Sequence, residues 1–170
     1  MFTIQISKYN PKNRNALGHY LDHSEWTSIS DIGKEKYNSP TYQDYKKVED
    51  AYVEAVFLMM KEQGIDSLYI NRQEKYTMLG ELPYMERKGY LKDIDIDYQK
   101  YIHSLHNRQQ VNLEGLDILI RLILREIVWM KLDNDYFEVS FGYDYYIYIK
   151  TLFIKTATRK QVESNGLYVE

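Results

Sequence analysis

The stretch from residue 136 to residue 150 limits the fold most strictly, because its side chains alternate with a period of two. The odd positions are apolar or aromatic: Phe137, Val139, Phe141, Tyr143, Tyr145, Ile147 and Ile149. The even positions are polar or tyrosine: Tyr136, Glu138, Ser140, Gly142, Asp144, Tyr146, Tyr148 and Lys150. This alternation is typical of β-strands that bury one face. We therefore predict strand structure over 136–150 with the odd face in the core.

The even face needs a separate explanation. The nine residues "FGYDYYIYI" at 141–149 contain four tyrosines and a phenylalanine. Gly142 permits a bend, a bulge or a tight turn that would split the segment into two strands. A core explains the odd face, but Tyr146 and Tyr148 could belong to a core, to a platform for stacking bases, or to a surface that binds another protein.

Two segments with helical periodicity flank the middle of the chain. In residues 41–63 apolar side chains recur every three or four positions, Thr41 and Asp44 match a capping box, and Gly64 is placed to end the helix. Residues 97–107 show a shorter amphipathic pattern, with Asp95 or Asp97 as the candidate cap. Both segments are predicted helices.

A third helix is predicted over 113–132, with Asn112 as its cap. It is apolar on almost every side, and its one polar stripe consists of Glu114, Asp117, Arg121 and Arg125. Two interpretations of the arginines stay open. They could pair with Asp117 or Glu126 inside the protein, or the stripe could meet a partner.

These segments together predict an α+β fold. The length of 170 residues suits a single domain over 1–170. We expect a mainly antiparallel sheet, with strands near 2–7, 67–72 and 136–150, packed against about three helices near 41–63, 97–107 and 113–132. A closing edge strand in "GLYVE" could pair with a copy of itself and give a homodimer.

Composition narrows the compartment and the chemistry. The chain has no cysteine, which removes disulfides and thiolate chemistry and is typical of the reducing cytoplasm. Its first residues alternate like a strand and lack the apolar region of a secretory signal. The most apolar run contains Arg121, Arg125 and Glu126, so it is typical of a buried helix and not of a membrane span. We expect a cytoplasmic protein with no membrane partner.

Motifs of catalysis are missing from the sequence. It contains no nucleophile elbow, no dinucleotide fingerprint and no phosphate-binding loop. The histidine pairs His19 with His23 and His103 with His106 do not complete a zinc signature. We expect no enzymatic activity, no cofactor and no metal. A small hydrolase built on Asp93, Asp95 and Asp97 stays open as an alternative.

The net charge of the chain indicates which class of partner it binds. The formal net charge of −3 disfavours nucleic acid as the direct partner and suits a basic protein. An RNA-binding or RNA-processing module that stacks bases on Tyr146 and Tyr148 is the alternative to a protein partner. Lys150 and Lys155 lie near those tyrosines, but Glu138 and Asp144 share the same stretch.

Three segments resemble a known family. The sequences "EWTSISDIGK" at 25–34, "LREIVWMKL" at 124–132 and "FGYDYYIYI" at 141–149 are similar to segments of small bacterial immunity proteins from contact-dependent growth inhibition and related polymorphic-toxin systems. By motif order the resemblance covers about residues 2–150, and residues 151–170 match no pattern of the family.

The resemblance implies a function. Such a protein binds the C-terminal toxin domain delivered by a neighbouring cell and neutralises it in the cytosol. The toxins are often nucleases that act on tRNA or other RNA, whose basic grooves suit an acidic, tyrosine-rich inhibitor. The candidate contact residues are Asp144, Tyr146, Tyr148, Glu138, Asp93, Asp95, Trp26 and Asp31.

Overall fold

The computed structural model describes residues 1–74, 82–94 and 96–170. In these residues the α-helices are α1 (Tyr42–Glu62), α2 (Leu82–Lys88), α3 (Tyr98–Ser104), α4 (Leu113–Leu124) and α5 (Thr156–Ser164). The strands are β1 (Phe2–Ser7), β2 (Ser67–Glu74), β3 (Gln110–Asn112), β4 (Trp129–Asn134), β5 (Phe137–Phe141), β6 (Ile147–Thr151) and β7 (Tyr168–Val169). The long connection between β1 and α1 carries three short 3₁₀ turns.

The strands form one sheet in the order β3-β2-β4-β5-β6-β1-β7. Every pairing is antiparallel. Strand β1, near the start of the sequence, pairs with β6 and β7, which lie near its end. The first and last strands of the sequence are therefore neighbours at one edge of the sheet. This architecture confirms the predicted single α+β domain.

Two neighbouring rows of cross-strand residues show which face of the sheet is buried and which is exposed. Leu132, Val139, Ile149 and Ile4 are cross-strand partners on four adjacent strands, and all four are at most 1% exposed. The next row, Asp133, Glu138, Lys150 and Thr3, is polar and half-buried or exposed. The apolar row joins the helices in one core, and the polar row lies on the open face of the sheet.

Helix α1 begins and ends as its sequence predicts. Thr41 and Asp44 form both hydrogen bonds of the capping box. At the other end Gly64 takes the left-handed conformation with φ of 70°. The N–H of Gly64 donates to Lys61 O at 3.1 Å, and that of Ile65 donates to Met60 O at 2.9 Å. These are the two bonds of a Schellman motif.

Helix α4 ends eight residues earlier than predicted, and the predicted extension to Leu132 is wrong. Glu126 adopts the left-handed conformation with φ of 61°. Its N–H donates to Ile123 O, and the N–H of Ile127 donates to Leu122 O, so a Schellman motif forms without glycine. The apolar residues beyond it form the buried strand β4, which periodicity alone does not separate from a buried helix. Each helix within the described residues is too short or too polar to span a lipid bilayer.

The arginines of α4 pair inside the protein. Arg125 is fully buried, and each of its five N–H donors has an acceptor. It donates to Glu49 Oε1 at 2.6 Å and Oε2 at 2.7 Å, to both carboxylate oxygens of Asp93, and to the carbonyl of Tyr90. Because Glu49 lies on α1 and Asp93 follows α2, this one guanidinium ties three parts of the fold together.

The predicted pairing of Arg121 with Asp117 is confirmed by two hydrogen bonds of 2.9 and 3.0 Å. Arg121 also donates to Glu49 and Asp50 on α1. The other predicted acidic partner of the two arginines, Glu126, lies at the left-handed end of the helix. Arg121 and Arg125 of the polar stripe therefore link α4 to α1, whereas Glu114 is exposed.

Candidate partner-binding surface

The aromatic stretch folds into β5, a tight turn and β6. Asp144 and Tyr145 both have positive φ, at 57° and 63°, and the N–H of Tyr146 donates to Tyr143 O at 3.3 Å. Two left-handed central residues and this hydrogen bond are the features of a type I′ turn, in which Asn-Gly or Asp-Gly is usual. Here Asp144 occupies a favoured position and Tyr145 stands where glycine is preferred. We call residues 142–146 the hairpin tip.

Tyr145 is held in this conformation by contacts with the core. It is 5% exposed. Its hydroxyl donates to Leu124 O at 2.9 Å, and its carbonyl accepts from the Tyr52 hydroxyl at 2.5 Å. Its ring lies 5.2 Å from Trp26 and 6.0 Å from Tyr45, measured between ring centroids, in edge-on geometry. A non-glycine residue at positive φ persists only where its surroundings hold it, and these contacts do so.

Tyr143 is directed away from the core, so its predicted place on the buried odd face is wrong. It is 84% exposed. Its ring is stacked against Trp129 with centroids 5.7 Å apart and planes at 30°. The turn begins at Tyr143, and the strict alternation of β5 therefore stops before this residue. The result is an aromatic pair at the hairpin tip, with one ring almost wholly in solvent.

A cavity of about 520 Å³ lies beside this pair. The β4–β5 ladder ends at Leu132 and Val139, so the two chains separate toward Trp129 and Phe141, and the cavity opens between them. Its described lining residues are Ile123, Leu124, Glu126, Val128, Trp129, Phe141, Gly142, Tyr143, Asp144, Tyr145 and Tyr146. Among them, both charged side chains are carboxylates. An apolar cavity with a few polar groups has the composition of a binding site.

Tyr146 and Asp144 line this cavity and also a second one of about 320 Å³. The Tyr146 ring is half-buried and lies 5.4 Å from Tyr9, which in turn lies 5.1 Å from Tyr20. Tyr9 is 3% exposed, and burial raises the pKa of its hydroxyl. Within the described residues that hydroxyl has no hydrogen-bond partner. The connection before α1 thus braces one side of the hairpin tip.

Tyr148 and Glu138 lie on the open face of the sheet. A Cβ added at Gly142 would lie 2.9 Å from the ring of Tyr148, so the glycine makes room for that tyrosine. Glu138 is held between Lys131 and Lys150, each at 3.1 Å. Burial raises the pKa of Glu138, but the hydrogen bonds and charges of the two lysines outweigh it, and the pKa falls below its ordinary value. The open face near Glu138 is therefore not anionic.

Burial removes Trp26 and Asp31 from the candidate surface, which corrects their predicted role as contacts. Trp26 is 8% exposed and packs on Tyr45 and Tyr145. Asp31 is 4% exposed and accepts from the backbone N–H groups of Thr27 and Ser28. Burial raises the pKa of Asp31, but these bonds and Lys34 lower it further, so the pKa lies below its ordinary value. Both side chains hold the connection to the core.

Asp93 is exposed, as its predicted place on the surface requires, but its carboxylate pairs with Arg125 and Lys46. Burial raises the pKa of its carboxyl, but the hydrogen bonds and charge of Arg125 outweigh burial and hold that pKa well below the ordinary value. Its charge is thus neutralised within the protein. Asp95, the other acidic contact predicted there, lies outside the described residues.

Of the predicted contacts, the structure brings Asp144, Tyr146 and Tyr148 together at and beside the hairpin tip. It adds Trp129, Tyr143 and Glu126, which sequence reasoning did not select. Trp129 was hidden in an apolar run assigned to a helix. For the exposed position of Tyr143, the sequence offered one signal. Asp144, two residues after Gly142, is a residue type that favours tight turns.

Among the described residues, no group of three or more histidine or acidic side chains could hold a metal ion. Comparison of the chain with protein-family models, with curated proteins and with solved structures finds no match.

Proposed function

We propose that this chain is an immunity protein that binds and neutralises a toxin domain, with the hairpin tip as the centre of its interface. The observation that carries the proposal is the Trp129–Tyr143 pair beside an apolar cavity whose charged lining residues, Glu126 and Asp144, are acidic. Exposed aromatic side chains next to a cavity are the usual energetic centre of protein–protein interfaces. In this role the chain performs no reaction of its own.

The net charge of −3 supports a basic partner. A nuclease that acts on tRNA or other RNA needs a basic groove, and opposite charge speeds the encounter of the two proteins. Neutralisation demands tight binding, which a few buried aromatic anchors supply within an interface of about 1,200–2,000 Å². The strained turn at Asp144 and Tyr145 presents these anchors on a fixed frame.

The test is co-expression with the toxin fragment encoded immediately upstream. We expect the cells to survive and the two proteins to co-purify. Tyr143→Ala should weaken the complex by at least about tenfold, because Tyr143 is a large exposed aromatic side chain at the centre of the surface. The dissociation constant can be measured by calorimetry with a catalytically inactive toxin.

The matched control is Tyr136→Ala. Tyr136 is 61% exposed and lies in the turn at the other end of β5. The Tyr136→Ala substitution should leave the dissociation constant of the complex with the toxin unchanged. Cells that die despite expression of the protein, with no complex on purification, would rule out the immunity function.

RNA binding is the alternative that the Trp129–Tyr143 pair also permits, since exposed aromatic rings stack bases. The charges beside the pair argue against it, because the charged residues that line the cavity, Glu126 and Asp144, are acidic. A single-stranded RNA probe that binds at low salt and dissociates steeply as salt rises would favour this alternative.

A further inference from the structure

We propose that the cavity beside the hairpin tip receives an arginine side chain from the partner protein. This inference rests on the proposed function and deepens it, because it names the group that the surface recognises. Three observations carry it: the charge of the cavity lining, the flat aromatic pair at its edge and the apolar residues inside.

The charge selects a cation. Among the described residues that line the cavity, Glu126 and Asp144 are the charged ones, and both are acidic. Asp144 is exposed, and its backbone is fixed by the turn. A guanidinium that donates to a carboxylate forms one of the stronger hydrogen bonds available at a protein surface.

The aromatic pair selects arginine over lysine. Trp129 and Tyr143 line the cavity and stack on one another at 30°, and Tyr143, which is 84% exposed, keeps its outer ring face accessible. A planar guanidinium stacks on such faces and is weakly hydrated, whereas a lysine ammonium is a compact and strongly hydrated charge.

The interior of the cavity suits the rest of the side chain. Ile123, Val128 and Phe141 line it and would contact the methylene groups of the arginine. The volume of about 520 Å³ leaves room for neighbouring residues of the partner. The structure thus offers an apolar channel, a stacking face and a carboxylate to one cationic side chain.

The chain has two tryptophans, which provide a direct test. In the nitrogen–proton NMR spectrum of the labelled protein, Trp129 reports on the cavity and buried Trp26 is an internal control. The variant Trp129→Phe assigns the two indole signals. The probe is N-acetyl-arginine amide. We expect it to shift the Trp129 signal saturably, with a dissociation constant on the order of 1–10 mM, and to shift the Trp26 signal much less, because Trp26 does not line the cavity.

Matched probes and variants isolate each part of the argument. N-acetyl-citrulline amide has almost the same shape without the charge and should bind at least about tenfold more weakly. Asp144→Asn removes the charge but tolerates the left-handed backbone, and it should weaken the arginine probe about three- to tenfold. Asp135→Asn, an exposed change in the turn at the other end of β5, should have no effect.

Three results would overturn the inference: no saturable shift of the Trp129 signal below about 50 mM probe, equal binding of the citrulline probe, or equal binding of N-acetyl-lysine amide. Its failure is distinct from failure of the proposed function. A toxin that still co-purifies when the arginine probe does not bind would leave the immunity function in place and remove only the arginine anchor.

Discussion

Tyr143 and Tyr145 show how two like residues, separated by one position, receive opposite roles. Tyr143 is 84% exposed, whereas Tyr145 is 5% exposed. The type I′ turn between them sends one ring to Trp129 and the other into the core. The hydroxyl of Tyr145 then satisfies the carbonyl of Leu124 at the end of α4. A single turn therefore joins the candidate surface to the structure that supports it.

This arrangement predicts unequal effects of removing the two hydroxyls. Tyr145→Phe should lower the free energy of unfolding by about 1–2 kcal/mol, because it leaves the carbonyl of Leu124 without its partner. Tyr143→Phe, at the exposed ring, should change it by less than about 0.5 kcal/mol. Urea unfolding of both variants measures the two values. Equal effects would show that the Tyr145 hydroxyl does not anchor the turn.

At the scale of elements, the ends of the two long helices shape the site. The left-handed residue just after helix α1 is Gly64, which adopts positive φ readily. The left-handed residue just after helix α4 is Glu126, which adopts the same conformation without that freedom. The early end of α4 allows the chain to enter β4 at Trp129, and so it places that residue beside the hairpin tip.

Two substitutions at Glu126 separate backbone strain from side-chain contacts. Glu126→Gly and Glu126→Ala both remove the carboxylate, which lies 3.4 Å from the hydroxyl of Ser28. Only glycine relieves the left-handed strain, so the glycine variant should be more stable than the alanine variant by about 1 kcal/mol. Thermal unfolding of the pair measures this difference. A more stable alanine variant would mean that the helix end is not strained.

The buried ion pair between α1 and α4 predicts a second pair of variants. Arg125→Met leaves Glu49 buried without its main partner and should lower the free energy of unfolding by about 3–5 kcal/mol. The double variant Glu49→Leu with Arg125→Met removes both charges and should recover most of that loss. Denaturant unfolding of the single and double variants provides the comparison. No recovery in the double variant would show that Arg125 acts through its other contacts.

Across the whole molecule, one face of the sheet packs in the core and the other face is exposed to solvent. The open face carries paired charges, as at Glu138, and its edges are the short strands β3 and β7. Short edges limit strand pairing between copies. The homodimer stays a prediction, which sedimentation of the purified chain would test.

The carboxylates of the fold predict how its stability depends on pH. Asp31, Asp93 and Glu138 each have a folded-state pKa below the ordinary value. Their contribution is therefore present above the unfolded pKa near 4 and is lost as pH falls through the folded pKa values. Stability should therefore fall as the pH is lowered from 7 to 2. The Glu138→Gln variant should lose less free energy of unfolding between pH 7 and pH 2 than the unchanged protein, as measured by urea unfolding at several pH values. An unchanged fall in the variant would exclude a contribution from Glu138.

Local patterns in the sequence determined much of the fold. Thr41, Asp44 and Gly64 mark the ends of α1 by hydrogen bonds within a few residues, so no distant contact is needed to predict them. The alternation of β5 and β6 likewise predicted which residues, Val139 and Ile149 among them, are buried. The candidate surface was predicted in part, since Asp144 and Tyr146 lie at the hairpin tip.

Only the tertiary structure decided the rest. The apolar run before Leu132 suits a buried strand as well as a buried helix, because neither shows an exposed face in the sequence. The pairing of Arg125 with Glu49 and Asp93 joins residues far apart in the chain. Trp129 meets Tyr143 because of where a helix ends and a hairpin turns. Short-range periodicity sets which face of an element is apolar, but the packing of elements sets which side chains meet.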